Sequence, residues 1–118
     1  MAKTVRETIK DIVYRHLTVE KSLCFGQCLT AVGWVGGTLP KLYEDDGMVE
    51  LTTADVANGG FVVGAGLKDI RPIYVVRYQG FQWFNSPIII NYAAKSKEIW
   101  GIPCPIFIRS IAMEGGMG

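Results

Sequence analysis

Between Asp55 and Lys68 the chain carries no charge and has glycines at 59, 60, 64 and 66. Val56, Gly60, Val63, Gly64 and Leu67 recur at i, i+4, i+7, i+8 and i+11, the spacing of one helical face. Each glycine costs roughly 1 kcal/mol of helix propensity relative to alanine. Such a helix is tolerable only where it must lie very close to another backbone or a flat ligand. Arg71-Pro72 ends it, because the residue before a proline avoids the helical region. Ile73-Tyr-Val-Val76 then reads as a buried strand. Asp55, just ahead of the helix, is either a solvated cap or a functional acid.

The same reading carries along the chain. Thr4 to Leu17 is a helix opened by the capping box Thr4-x-x-Glu7. Val5, Ile9, Ile12, Val13 and His16 are its expected inward face, with Lys3, Arg6, Lys10 and Arg15 toward water. Glu7, Asp11 and Glu20 argue against a targeting sequence. His16, the only histidine, is read as packed or superficial, without an acidic partner at helical spacing. Ser22 to Phe25 is the first strand, ending at Gly26, and a short helix is expected from about Gly37 to Tyr43. Glu44-Asp45-Asp46-Gly47 lacks calcium-loop spacing and reads as a solvated turn. Met48 to Leu51 is the second strand and Tyr74 to Tyr78 the third. Ser86 and Pro87 suit the cap and first position of a helix reaching Lys97 and stopping at Gly101. Pro103 to Arg109 is a fourth strand with its prolines at the opening.

Strands alternating with helices predict an α/β domain, a mainly parallel sheet covered on both faces in three layers. Ligands in such folds lie off the carboxyl ends of the strands. Gly26-Gln27, Asp55, the Arg77 to Phe81 segment and the Arg109 to Gly118 tail would gather at that edge. A length of 118 residues fits one domain spanning 1–118. Hydrophobic residues at 49% against 19% charged exclude a disordered chain, and a net charge of +1 offers no case for nucleic acid or an anionic membrane. No apolar run is long enough for a membrane span. Three cysteines, an odd number, suit a reducing compartment, so a cytoplasmic location is expected. Cys24 and Cys28 with one histidine make no zinc set, and no metal ligands are expected.

The run Gly26-Gln27, Leu39-Pro-Lys-Leu-Tyr43, Leu51-Thr-Thr-Ala-Asp55, Gly64-Ala-Gly66, Ile70-Arg-Pro-Ile73, Phe81 and Asn91-Tyr-Ala-Ala-Lys95 resembles the pyrimidine-binding domain of thiamine diphosphate enzymes. Within that transketolase-like superfamily it looks most like the beta subunit of the decarboxylating component of 2-oxo-acid dehydrogenases, the pyruvate dehydrogenase type. The resemblance implies the thiamine diphosphate-binding fold, truncated here at its C-terminal end, since the family domain continues past Gly115-Gly-Met-Gly118. It places the family's acid at Asp55 and an aromatic surface for the pyrimidine ring at Phe81. Arg77 falls at a pocket-lining position, and Gln27 and Cys28 stand in the turn after the first strand, where the family usually carries acids. The implied role of Asp55 is to share a proton with the pyrimidine ring nitrogen N1', favouring the imino form that deprotonates the cofactor. Burial against Val56, Phe61 and Phe81 would raise its pKa as that role requires.

Two departures stand out. The family acid is glutamate, and a displacement on the order of 1 Å from a shorter side chain can cost about 100-fold in rate. The Gly-Asp-Gly motif that precedes the diphosphate and magnesium ligands in the superfamily is absent from this chain. The resemblance therefore implies an alpha-type partner subunit holding the diphosphate and magnesium, in a hetero-oligomer such as a dimer of heterodimers, active only together. The alternative is a noncatalytic scaffold or regulatory paralogue that keeps the fold without the glutamate. A nucleotide-binding domain is a third reading, although Gly60 to Gly66 matches no phosphate-loop or dinucleotide fingerprint.

Overall fold

Every residue of β1 (Cys24–Gly26) and β3 (Ile73–Val76) is buried, the mark of strands covered on both faces. The computed structural model describes residues 2–31, 33–52, 54–76 and 82–110. With β2 (Met48–Glu50) and β4 (Phe107–Ser110), these strands form an all-parallel sheet in the order β2-β1-β3-β4. Cys24, Phe25 and Gly26 pair with Met48, Val49 and Glu50 on one side and with Ile73, Tyr74 and Val75 on the other. Ile73 to Val76 pair in turn with Phe107 to Ser110. The expected parallel α/β architecture is present.

Two-residue periodicity sorts the strand side chains onto two faces. Cys24, Met48, Ile73 and Val75 pack with Val13 and Leu17 of α1 (Val5–Thr18) and with Leu29, Leu39 and Leu42. Phe25, Tyr74 and Val76 pack with Val62 of α2 (Asp55–Leu67), flanked by Val49, Ala65 and Ile108. The β1-to-β2 connection moves toward one edge of the sheet, and its Leu29, Leu39 and Leu42 lie on the α1 side. The β2-to-β3 connection crosses toward the other edge and lies on the opposite side. Right-handed crossovers require this change of face whenever the direction reverses.

The Thr4 capping box forms as expected. Thr4 Oγ1 accepts from the Glu7 amide at 3.1 Å, and the Thr4 amide donates to Glu7 Oε2 at 3.0 Å. The inward face of α1 is narrower than its pattern suggests. Val13 and Leu17 are buried and Ile9 packs beside them, whereas Val5 is 77% and Ile12 63% exposed. Only the line Ile9-Val13-Leu17 meets the sheet.

The face of α2 differs too. Gly60, Gly64, Val56 and Leu67 are exposed, and the buried line is Asn58, Gly59, Val62, Val63 and Gly66. Two glycines explain that choice. A Cβ on Gly59 would run into Asn85 Oδ1 and stand 2.9 Å from Ile88 Cγ2. One on Gly66 would lie 2.8 Å from Cys104 Sγ and 3.3 Å from the Pro105 carbonyl. The close approach expected of this helix exists, but at Gly59 and Gly66; Gly60 and Gly64 have open space.

Two further expectations fail locally. Residues 38–43 form no helix, and the helical hydrogen bonding at Gly33–Gly37 is left-handed, with Trp34 and Val35 at φ 56° and 54°. Such backbone costs an L-residue about 1–2 kcal/mol. The Trp34 indole offsets part of that by donating to the Leu42 carbonyl at 3.0 Å and by meeting Tyr43 edge-on. Pro87, expected to open a helix, lies inside α3 (Gln82–Ile88). It has no amide hydrogen to donate, and the chain widens into a π turn at Ile89–Ala93 before α4 (Ser96–Trp100) ends at Gly101, φ 72°.

The two adjacent glycines of α2 should respond oppositely to alanine. Gly59→Ala is expected to destabilise by about 1–3 kcal/mol through overpacking against α3. Gly60→Ala should stabilise by up to about 1 kcal/mol through helix propensity. Urea unfolding of the two variants measures both.

Candidate functional site

At its carboxyl edge the sheet brings together the ends of β1 and β3, where the connections diverge to opposite faces. An open parallel sheet has its crevice at such a point. Gly26 ends β1 because nothing larger fits: a Cβ there would stand 2.8 Å from both Leu29 Cδ2 and the Val75 carbonyl oxygen. The chain then turns through Cys28 at φ 53°. Glu50, the last residue of β2, ties that turn down. Its Oε1 accepts from the Thr30 amide at 2.7 Å and from the Thr30 hydroxyl at 2.9 Å. The Leu51 amide donates to the Gly26 carbonyl at 2.8 Å, so the exits of β1 and β2 are locked together.

The entry to α2 is fixed as firmly. Asn58 is buried, its Nδ2 donating to the Thr52 carbonyl at 2.8 Å and its amide to the Ala54 carbonyl at 2.8 Å. Asp55 is the first residue of α2, on the chain leading from the carboxyl end of β2. Gln27 and Cys28, both half-buried, follow the end of β1. The topology therefore brings the backbone of Asp55, Gln27 and Cys28 to one edge. Arg77 and Phe81 lie outside the described residues.

The apolar surround expected for Asp55 needs correction. Val56 is 65% and Phe61 62% exposed, so neither supplies a buried wall. The sheet selects the Asn58-Gly59-Val62 side of α2, and those two side chains fall on the other. Sequence reading also missed the Glu50–Thr30 clamp and Asn58. Neither leaves a local signal, since the clamp joins residues twenty apart in sequence. His16 is a different case, because its partner sits at i+4. Its Nδ1 is 2.6 Å from Glu20 Oε2, and its Nε2 is 2.9 Å from the Arg71 carbonyl oxygen. Both neighbours are acceptors, so both contacts are hydrogen bonds only when each ring nitrogen carries a proton.

A concavity lies on the α1 side of the sheet, between α1 and β4, with a volume of about 800 Å³. Ile9, Ile12, Ile73 and Phe107 wall it, and Arg109 lines it. Arg109 Nη2 donates to Thr38 Oγ1, and burial pushes its pKa down. All three cysteines are free thiols. Among the described residues, no three His, Cys, Asp or Glu side chains come close enough together to hold a metal ion, and no helix is long and apolar enough to cross a membrane. No protein-family model matches the chain, and no curated protein matches it.

Burial pushes the Cys24 thiol up to about 12 from 9.0, the nearby Arg109 guanidinium acting in the opposite direction. Above pH 9 the unfolded chain releases this proton while the folded chain keeps it, so stability falls as pH rises from about 9 toward 12. The slope reaches at most roughly 1.4 kcal/mol per pH unit. Urea midpoints across this range should decline less steeply in Cys24→Ala than in wild type.

Proposed function

We propose that the chain is the pyrimidine-binding half of a thiamine diphosphate-dependent 2-oxo-acid dehydrogenase or decarboxylase, similar to a pyruvate dehydrogenase beta subunit. The observation that carries this reading is the position of Asp55. It opens a helix at the carboxyl edge of a parallel sheet, beside the β1 exit, on the run of residues that resembles the family's acid-bearing segment. In this reading the fold is the thiamine diphosphate-binding fold, working in the cytoplasm.

Bound thiamine diphosphate would supply a nucleophilic carbanion at its thiazolium ring. Asp55 would hold a proton against N1' of the aminopyrimidine, while Phe81 and Arg77 line the ring's pocket beside Gln27 and Cys28. An alpha-type partner would hold the diphosphate and magnesium. The exposed side of α2 supports a partner: Val56, Phe61 and Leu67 are all exposed on a helix without a charge between its first residue and its end. A helix apolar on all sides belongs in an interior or an interface. That cover would also provide the desolvation that raises a carboxyl pKa. The same exposure favours, as a second reading, a noncatalytic paralogue in which α2 serves assembly alone.

Turnover of a 2-oxo acid by the chain co-purified with its partner, with thiamine diphosphate and magnesium, separates the two. Asp55→Ala is expected to lower it by on the order of 10²–10⁴, the scale of a lost acid–base group. Asp55→Glu, which restores the family's side-chain length, should raise it. Unchanged turnover in Asp55→Ala would take Asp55 out of the mechanism, and an assembled complex without turnover would favour the scaffold.

A further inference from the structure

We propose that the groove between α1 and β4 is a binding site for a small carboxylate with an apolar body, its carboxylate held by Arg109. This site lies away from Asp55 and does not depend on the thiamine diphosphate reading. Its volume of about 800 Å³ falls within the roughly 300–1,000 Å³ of small-molecule sites. The walls are mostly apolar, with His16, Asp69 and Arg71 also among the lining residues, and two apolar side chains are left bare: Phe107 is 64% and Ile12 63% exposed. Phe107 and Arg109 alternate on β4, opposite Ile73 and Val75, so both stand on the α1 side of the sheet.

Arg109 supplies the polar end. One arm of its guanidinium is anchored, Nη2 donating to Thr38 Oγ1. Nη1 is buried and has no hydrogen-bond partner. Among the described residues, no carboxylate pairs with Arg109; Asp69 lines the same groove without forming that ion pair. A half-buried cation with no carboxylate partner among the described residues is unfavourable. A swing of the side chain that brings Nη1 to the groove surface would let the guanidinium fork take the planar oxygens of a carboxylate. Burial already lowers the Arg109 pKa, so an incoming anion would relieve a desolvated charge. Arg71, His16 and the carboxylate of Asp69 also line this mostly apolar groove; Asp69 repels a multiply charged anion, which favours a monocarboxylate over a phosphate ester.

Octanoate is the probe and 1-octanol its neutral match, titrated into the full chain by calorimetry and by amide shifts of β4. Octanoate should bind at least about tenfold more tightly than octanol, the scale of a charge-assisted hydrogen bond, with shifts at Phe107 and Arg109. Arg109→Gln should abolish that preference while leaving octanol binding in place. Phe107→Asp, at an exposed position where folding is not at stake, should weaken octanoate by more than tenfold through like-charge repulsion. Equal binding of octanoate and octanol, or octanoate binding unchanged in Phe107→Asp, would overturn the assignment. So would the absence of octanoate binding together with a dimer that Phe107→Asp dissociates, which would give the groove to a second copy of the chain.

Discussion

The fold depends on the pairing of β1 with a strand on each side while both its faces are buried. A strand so short has few backbone hydrogen bonds, and each must be made out of water, where an unpaired group is costly. Gly26 is the tightest point, because its backbone lies against the Val75 carbonyl and the Leu29 side chain with no room for a Cβ. From there the chain leaves the sheet at its carboxyl edge.

A second constraint follows on the other face. Helix α2 must cross the sheet closely enough for Val62 to reach Phe25, Tyr74 and Val76. Gly59 and Gly66 permit that approach against α3 and the segment leading to β4. At the remaining glycines of this helix, Gly60 and Gly64, an added Cβ would meet nothing among the described residues, and the apolar side chains of Val56, Phe61 and Leu67 stay exposed. A helix with two apolar sides and one sheet to pack on leaves a surface suited to another protein. The α1 side is left incomplete differently: α1 covers β1 and β3 but not Phe107, so a groove remains with a half-buried guanidinium at one end.

Much of the architecture was legible from short-range rules. The Thr4–Glu7 capping box, the buried runs at Cys24 and Ile73 and the glycine stop at Gly101 all express local chemistry that acts within a few residues. The errors have physical causes of equal clarity. Pro87 matched a helix start by composition, yet a proline without an amide hydrogen also fits a helix that then widens into a π turn. The helix expected from Gly37 to Tyr43 does not form because Leu39 and Leu42 are drawn into the core from irregular chain around Pro40, with the Leu42 carbonyl pinned by the Trp34 indole. Of the candidate site, Asp55, Gln27 and Cys28 share an edge, while the apolar wall assigned to Val56 and Phe61 faces outward.

By itself the sequence determined where α1 and α2 begin, that strands run through Cys24, Met48 and Ile73, that the sheet would be parallel, and that Asp55 would stand at the mouth of a helix. Capping, glycine and proline rules and hydrophobic runs operate within a turn or two of chain, so they can be read without a partner. Only the tertiary structure decided which side of α2 is buried and that Glu50 clamps Thr30. It also decided that Arg109 is held by Thr38 beside an open groove. Those outcomes depend on which distant backbones come within contact, and a helix apolar on both sides carries no internal record of the choice.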